Sequence, residues 1–299
     1  MSHHPRRAAL PAILVLLAAC SGASPSAIPT SSAAPPSVSP SATPGAFGAI
    51  EHATGATDVI LRFDQGGGFV MPGYLASQAP IFTLYGDGTI IFRNPMKEGP
   101  PPVGNVFRFG QFRTARLTEE QIQATLEMAI GEGQLGIARP DYPSDQVADA
   151  STAIFTVNAG GLKKAVSVYA LGIDVPNMAD AIPRKAFLAL SERLADFDQG
   201  GTITTEPYVP DHYRGVLMDG FGGDPDAKKW PWTDLTPKDF VLPVDPNAIQ
   251  FPVHTLTAAQ VAALGIEDTE GGFQGMTLTG PDGKQYSFSL RPMLPDDEA

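Results

Sequence analysis

Between Ala8 and Ile50 the chain carries no ionisable side chain except Cys20. This one feature removes a sixth of the molecule from any packed core. Ala8–Ala19 is an apolar run broken once by Pro11. At twelve residues it is too short to cross a bilayer, which takes ~20. Ser21–Ala46 holds eight Ser, six Pro and six Ala and no charge. Such a tract cannot bury enough apolar surface to offset its chain entropy, and it predicts a disordered linker over residues 20–50. As a flexible coil it would span roughly 30 Å, and fully extended roughly 80 Å. Whatever folds must therefore be built from residue 51 onward.

The apolar run follows Arg6 and Arg7 and ends in Leu17-Ala18-Ala19-Cys20. A basic start, a short apolar stretch and small residues before a cut are the anatomy of a signal peptide, here residues 1–19. The last four residues are similar to the lipobox of bacterial prolipoproteins, in which cleavage falls between the residues standing here as Ala19 and Cys20. The resemblance implies that the Cys20 thiol carries a diacylglyceryl thioether, such as a palmitate-rich lipid. The protein would then be exported and tethered to the outer face of the plasma membrane, or to the outer membrane in a diderm cell. One acyl chain binds a bilayer marginally, whereas two or three hold effectively permanently. An ordinary signal peptide with an incidental cysteine is the competing reading. General secretion fits Arg6-Arg7 better than twin-arginine export, because Pro5 and Ala8-Ala9 match the latter pattern poorly.

Cys20 is the sole cysteine, so no intramolecular disulfide exists and the folded part must rely on its own core. The net charge of −12 disfavours nucleic-acid binding and electrostatic docking on anionic lipid.

From about Ala53 hydrophobic patterning begins. Val59–Phe63, Ile81–Leu84 and Thr89–Phe92 read as strands, the last two joined by the turn Tyr85-Gly86-Asp87-Gly88. Val106–Phe112 alternates and predicts a half-buried strand with Phe107 and Phe109 inward. Thr118-Glu119-Glu120-Gln121 is a capping box, and Ile122, Leu126, Ala129 and Ile130 form the face of the helix it opens. Thr152–Val157 and Lys164–Tyr169 flank Asn158-Ala159-Gly160-Gly161 as a hairpin. A second helix spans Pro183 to about Phe197. These patterns predict an α+β fold of antiparallel hairpins packed on one or two helices, in two small consecutive domains, 51–200 and 201–299.

The second domain repeats part of the first. Phe112–Ile122 aligns without gaps to Phe251–Val261, sharing Phe, Leu, Thr and Gln, and each copy precedes a hairpin, the second turning at Gly280-Pro281-Asp282-Gly283. Coincidence is an equal reading, since capping residues recur for physical reasons alone. Leu235–Phe240 is a further capped helix start.

No cofactor-binding motif is present, and no catalytic constellation stands out. Outside the leader the histidines are His52, His212 and His254, none at metal-ligand spacing. No Gly-x-Ser-x-Gly elbow supplies a nucleophile. Gly66-Gly67-Gly68 lacks the Lys-Ser/Thr of a phosphate loop and reads as a turn. Asp219, Asp224 and Asp226 form a weak candidate for Ca²⁺, against the simpler reading of a hydrated acidic loop. Trp230 and Trp232 are candidates for stacking on a sugar or peptide, against the simpler reading of a small aromatic core.

Phe82–Phe92, Leu117–Ile122 and the Val157–Val168 hairpin together resemble a small α+β domain of unknown function in secreted bacterial proteins and lipoproteins of actinobacterial type. The resemblance covers about Thr57–Phe197 and implies fold without activity. Trp230-Pro231-Trp232 through Leu290–Pro295 is similar to the C-terminal half of such uncharacterised lipoproteins. The expectation is a non-enzymatic binding module of the cell envelope, anchored to the membrane through Cys20, whose partner is an envelope protein or glycan. An envelope hydrolase with a site assembled from distant residues and a protease or hydrolase inhibitor are the alternatives.

Overall fold

The computed structural model describes residues 48–298 apart from Met96, Glu98, Gly200, Phe221 and residues 244–250. Ala19, Cys20 and the linker up to residue 47 lie outside them. Two open sheets and four helices make an α+β fold.

The first sheet is built from β1 (Val59–Gly66), β2 (Phe82–Tyr85), β3 (Thr89–Phe92), β4 (Arg113–Arg116), β5 (Asp141–Tyr142), β6 (Thr152–Val157), β7 (Lys164–Tyr169) and β8 (Glu206–Pro207). Their order is β5-β7-β6-β1-β2-β3-β4-β8, antiparallel except for β5 on β7. The β2–β3 and β6–β7 hairpins form where the turn residues call for them, with Gly88, Gly160 and Gly161 at positive φ. Two helices cover this sheet, α2 (Glu119–Glu127), prolonged by a π-helical turn at Met128–Glu132, and α3 (Ala181–Ala195). They contribute Ile122, Leu126, Phe187, Leu190 and Leu194 to a core with Phe63, Phe82 and Phe155. Arg184 enters this core 7% exposed, a burial permitted by four main-chain carbonyls, those of Tyr142, Pro143, Tyr169 and Ala179.

The second sheet has the order β10-β12-β13-β9-β11, from β9 (His212–Asp219), β10 (Lys228–Lys229), β11 (Val253–Thr257), β12 (Phe273–Thr279) and β13 (Gln285–Pro292). Its only regular helix among the described residues besides α1 (Pro72–Ala76) is the short α4 (Ala258–Ala262). Its core is aromatic: Phe288 meets Trp232, Phe240 and Phe273 at ring-centroid distances of 5.6, 6.2 and 5.8 Å.

The sheets exchange pieces. Helix α1 (Pro72–Ala76), from the first half, lies against β9, β12 and β13. Gly73 permits this contact, because a Cβ there would stand 2.8 Å from the Gln274 carbonyl and from Ser289 Oγ. Strand β8 comes from beyond Gly200–Thr205, where composition suggests a boundary, and pairs with β4 of the first sheet. The C-terminal tail returns to β1 and β2, where Arg62 forks onto Asp296 at 2.7 and 2.8 Å and Tyr85 Oη donates to Asp296 at 2.6 Å.

Three expectations are corrected. Val106–Phe112 is not a strand: it makes isolated bridges only, Val103–Val106 and Arg108–Phe273, and the ladder begins at Arg113. Phe107 is 56% exposed, and Val106 and Phe112 are the buried members instead. The capped start at Leu235–Phe240 yields one 3-10 turn, Pro237–Asp239, because Pro237 permits a first turn and Phe240 is already extended. Helix α3 begins and ends two residues earlier than Pro183–Phe197.

Candidate functional site

The sequence feature that shapes the cleft beside the second sheet is the turn Gly280-Pro281-Asp282-Gly283 between β12 and β13. Gly283 takes φ +79°, which reverses the chain and projects Asp282 toward β13. Tyr286 Oη donates to Asp282 Oδ2 at 2.7 Å, and the Lys284 N–H donates to Oδ1 at 3.1 Å. These bonds hold the Asp282 carboxyl below the ordinary carboxylate range. Burial, reinforced by the bond to Asp282, pushes the Tyr286 hydroxyl up to about 12. On the opposite bank the capping box of Thr236 and Asp239 fixes Pro237 and Lys238.

Between these banks lies an open cleft of about 930 Å³, lined also by Leu217, Met218, Pro252 and Pro72 of α1. Its wall is mainly apolar, with Asp219, Asp282, Lys238 and Lys284 at intervals. Neither lysine is in an ion pair among the described residues. The described lining groups can bind and orient a ligand by apolar contact, hydrogen bonds and charge.

A second, more polar groove of about 1490 Å³ runs between Ala49–Val59, α2 and the β6–β7 turn. It is lined by Glu51, Asp58, Glu119, Glu120 and Glu127, with His52 and Lys163.

Only Asp219 of the sequence candidates reaches the cleft. Asp224 and Asp226 belong to a turn: the Asp226 N–H donates to Asp224 Oδ1 at 2.9 Å, and a bond from the Thr277 side chain, with this one second, lowers the Asp224 carboxyl. Among the described residues no three His, Cys, Asp or Glu side chains gather as a metal site would need, so the acidic loop does not converge on a cation. Trp230 and Trp232 are placed in the second core. Trp232 is 7% exposed, the two rings meet edge to face at 5.0 Å, and their indole N–H groups donate to the carbonyls of Leu235 and Gln260. Both rings pack edge to face on each other and on Phe240, Tyr286 and Phe288, so Trp232 is withdrawn from stacking on a ligand and Trp230 stays partly exposed. His254 Nδ1 donates to the Asp239 carbonyl, 3.0 Å away, and packs on Phe240, while His212 is exposed. The hydroxyls of Ser77, Ser191 and Ser289 are occupied by main-chain carbonyls.

The most unusual carboxyl was not singled out by sequence. Asp64 on β1 has its pKa raised to about 6, chiefly by burial, with Arg62 opposing and Asp296 adding to the rise. Among the described residues no group donates a hydrogen bond to it. The signal available was a charge pattern, Arg62 and Asp64 alternating along a strand, but their partners Asp296, Asp297 and Arg291 stand over 200 residues away.

These features define a two-sheet α+β protein with an apolar, charge-rimmed cleft. No protein-family model, curated protein or solved structure matches the chain.

Proposed function

We propose that the chain is an exported lipoprotein acylated on Cys20, whose folded part is a non-enzymatic binding module of the cell envelope. The observation that carries the reading is the placement of the sole cysteine behind Leu17-Ala18-Ala19 at the end of a short apolar run. The absence among the described residues of any helix long and apolar enough to cross a membrane is compatible with attachment by lipid. The resemblance to secreted actinobacterial-type lipoproteins supports the same assignment.

The cleft beside the second sheet is the ligand site on this reading, because it couples an apolar lining to unpaired lysines in a chain that is otherwise strongly acidic. Metabolic labelling with an alkyne fatty acid tests the anchor. The wild type takes up label and sediments with membranes, and Cys20→Ser does neither; a labelled Cys20→Ser protein overturns the assignment. For the cleft, retention of an envelope glycan or protein should be lost in Lys238→Glu/Lys284→Glu while folding is kept. Undiminished retention places the ligand elsewhere.

A further inference from the structure

The first described residues strap the chain onto the first sheet. The Ile50 N–H donates to Gln123 Oε1 at 2.7 Å, Gln123 Nε2 returns a bond to the Ile50 carbonyl at 2.9 Å, and the Gly160 N–H donates to the Glu51 carbonyl at 2.7 Å. His52 forms a β-bridge with Ala159. The strap crosses the β2–β3 turn at Gly86, where a Cβ would stand 2.3 Å from the Ala53 carbonyl oxygen.

The His52 side chain is only 6% exposed. Its Nδ1 lies 2.7 Å from the Ala53 carbonyl oxygen and its Nε2 lies 3.2 Å from Glu119 Oε1. A carbonyl oxygen and an ionised carboxylate both accept only, so both ring nitrogens must donate. A neutral imidazole has one N–H and satisfies one of these contacts; the imidazolium satisfies both. Glu119 also accepts from Gln123 Nε2 at 2.8 Å, so the histidine and the glutamine that hold the strap share one carboxylate. The bond from Gln123, with further help from His52, keeps that carboxyl below its ordinary range and hence ionised.

We propose that His52 is a proton-operated latch: as imidazolium it fastens Ile50–Ala53 to α2 and the β6–β7 turn, and on releasing its second proton to solvent it loosens the strap. The charged groups around it come from every neighbouring element. Glu51 and Asp58 lie on the strap side, Glu119, Glu120 and Glu127 on α2, and Lys163 on the hairpin. Asp87 of the β2–β3 turn is neutralised by Arg116 at 2.8 Å. Five carboxylates and one ammonium line the groove in which the ring sits. The latch is closed while the ring carries both protons and open once it carries one. The segment it controls is the one through which the Ser/Pro/Ala tract joins the folded body. The inference holds whether or not Cys20 is acylated.

Amide hydrogen exchange on the full chain tests it. After correction for intrinsic rates, protection of the Gly160 N–H should fall roughly three- to tenfold between pH 5 and 8, the modest size reflecting the exposure of Glu119. Protection of the Asn158 N–H, bonded to the Ile60 carbonyl, should stay constant. In His52→Gln the Gly160 protection should be low and independent of pH. A flat profile in the wild type, or an unchanged profile in His52→Gln, overturns the latch. Ring ¹⁵N shifts give a reading free of any variant: both nitrogens protonated while the strap is protected supports it, and a singly protonated ring in that state overturns it.

Discussion

The two sheets bury comparable strands by different means. The first is covered by α2 and α3, which lay Ile122, Leu126, Phe187, Leu190 and Leu194 over Phe63, Phe82 and Phe155. Among the described residues the second has only α1 and α4, of five residues each, and the loop between β10 and β11 fills the space with Trp230, Trp232 and Phe240 over Phe273, Tyr286 and Phe288 of its own strands. A helix brings many medium-sized side chains to a sheet at regular spacing, whereas loops bring few residues, so each must be large. The cleft proposed as the ligand site lies beside the second sheet, lined mainly by turns and loops with Pro72 of α1, whereas the groove beside the first sheet is lined in part by α2. The difference teaches that in this protein the groove beside the helix-covered sheet is the more polar and the cleft beside the loop-covered sheet the more apolar.

The sharpest break of this comparison comes from emptying each core in turn. Phe187→Ala and Phe288→Ala should each cost about 3–5 kcal/mol in urea denaturation, since both rings are fully buried. Both tryptophans lie in the second core, so their fluorescence reports that core alone, while far-UV circular dichroism reports both sheets. If the exchanged pieces couple the sheets, Phe187→Ala lowers the fluorescence midpoint as far as the dichroism midpoint. A wild-type fluorescence midpoint in that variant would show that the sheets unfold separately.

Cutting the seam comes next. Asp296 accepts from Arg62 and Tyr85, with its side chain 23% exposed. Asp296→Ala should cost about 2 kcal/mol, less than a fully buried pair. It should also separate the two midpoints, and coincident midpoints would show that α1 and β8 suffice to join the sheets.

The seam carboxyls predict opposite pH effects. Asp64 is raised to about 6 from its ordinary 3.8, so between those values the folded state holds more protons than the unfolded state. Its contribution to stability therefore falls as pH rises from about 4 to 6. Burial also opposes ionisation of Asp297, but the bidentate bonds from Arg291 and the Leu294 N–H outweigh it and the carboxyl is lowered. Asp297 thus stabilises above the ordinary carboxylate range and ceases to as pH falls through its folded value. Asp64→Asn should remove the decline between pH 4 and 6, by about 2 kcal/mol, and Asp297→Asn should leave that decline in place. Urea midpoints measured at half-unit intervals decide between them.

The smallest effects come from the capping boxes of α2 and α4. Thr118→Ala should cost about 1 kcal/mol and Thr257→Ala about half that. The first box opens a helix that continues through a π-helical turn and buries Ile122, Thr125 and Leu126; the second opens five residues and buries Val261. Equal losses, measured by thermal unfolding, would show that cap strength and not helix length sets the cost.

These boxes also show how far the sequence was legible. Both form as their residues dictate, Thr at the cap and Gln three positions on, because capping is local chemistry. What the repeat did not convey is placement. Strand β4 lies inside its sheet between β3 and β8, whereas β11 is the edge of its own. The hairpins likewise differ, with the first strand, β6, inward in one and the second strand, β13, inward in the other. The same limit applies to Trp230-Pro231-Trp232, whose spacing is identical for an exposed pair and a core pair. Only the arrival of Phe240, Tyr286 and Phe288 packs the pair into a core.

The sequence by itself determined the hairpins with their glycine turns, the caps and the two long helices, since each depends on neighbours within a few residues. It also contains the apolar run that ends at its sole cysteine. Tertiary structure alone decided that α1 covers the second sheet, that β8 and the C-terminal tail return to the first, and that His52 meets Glu119 across 67 positions. Contacts of that kind depend on which surfaces are left unburied once the local elements have formed. A linear pattern records each element's own preference and carries no record of the partner that will cover it.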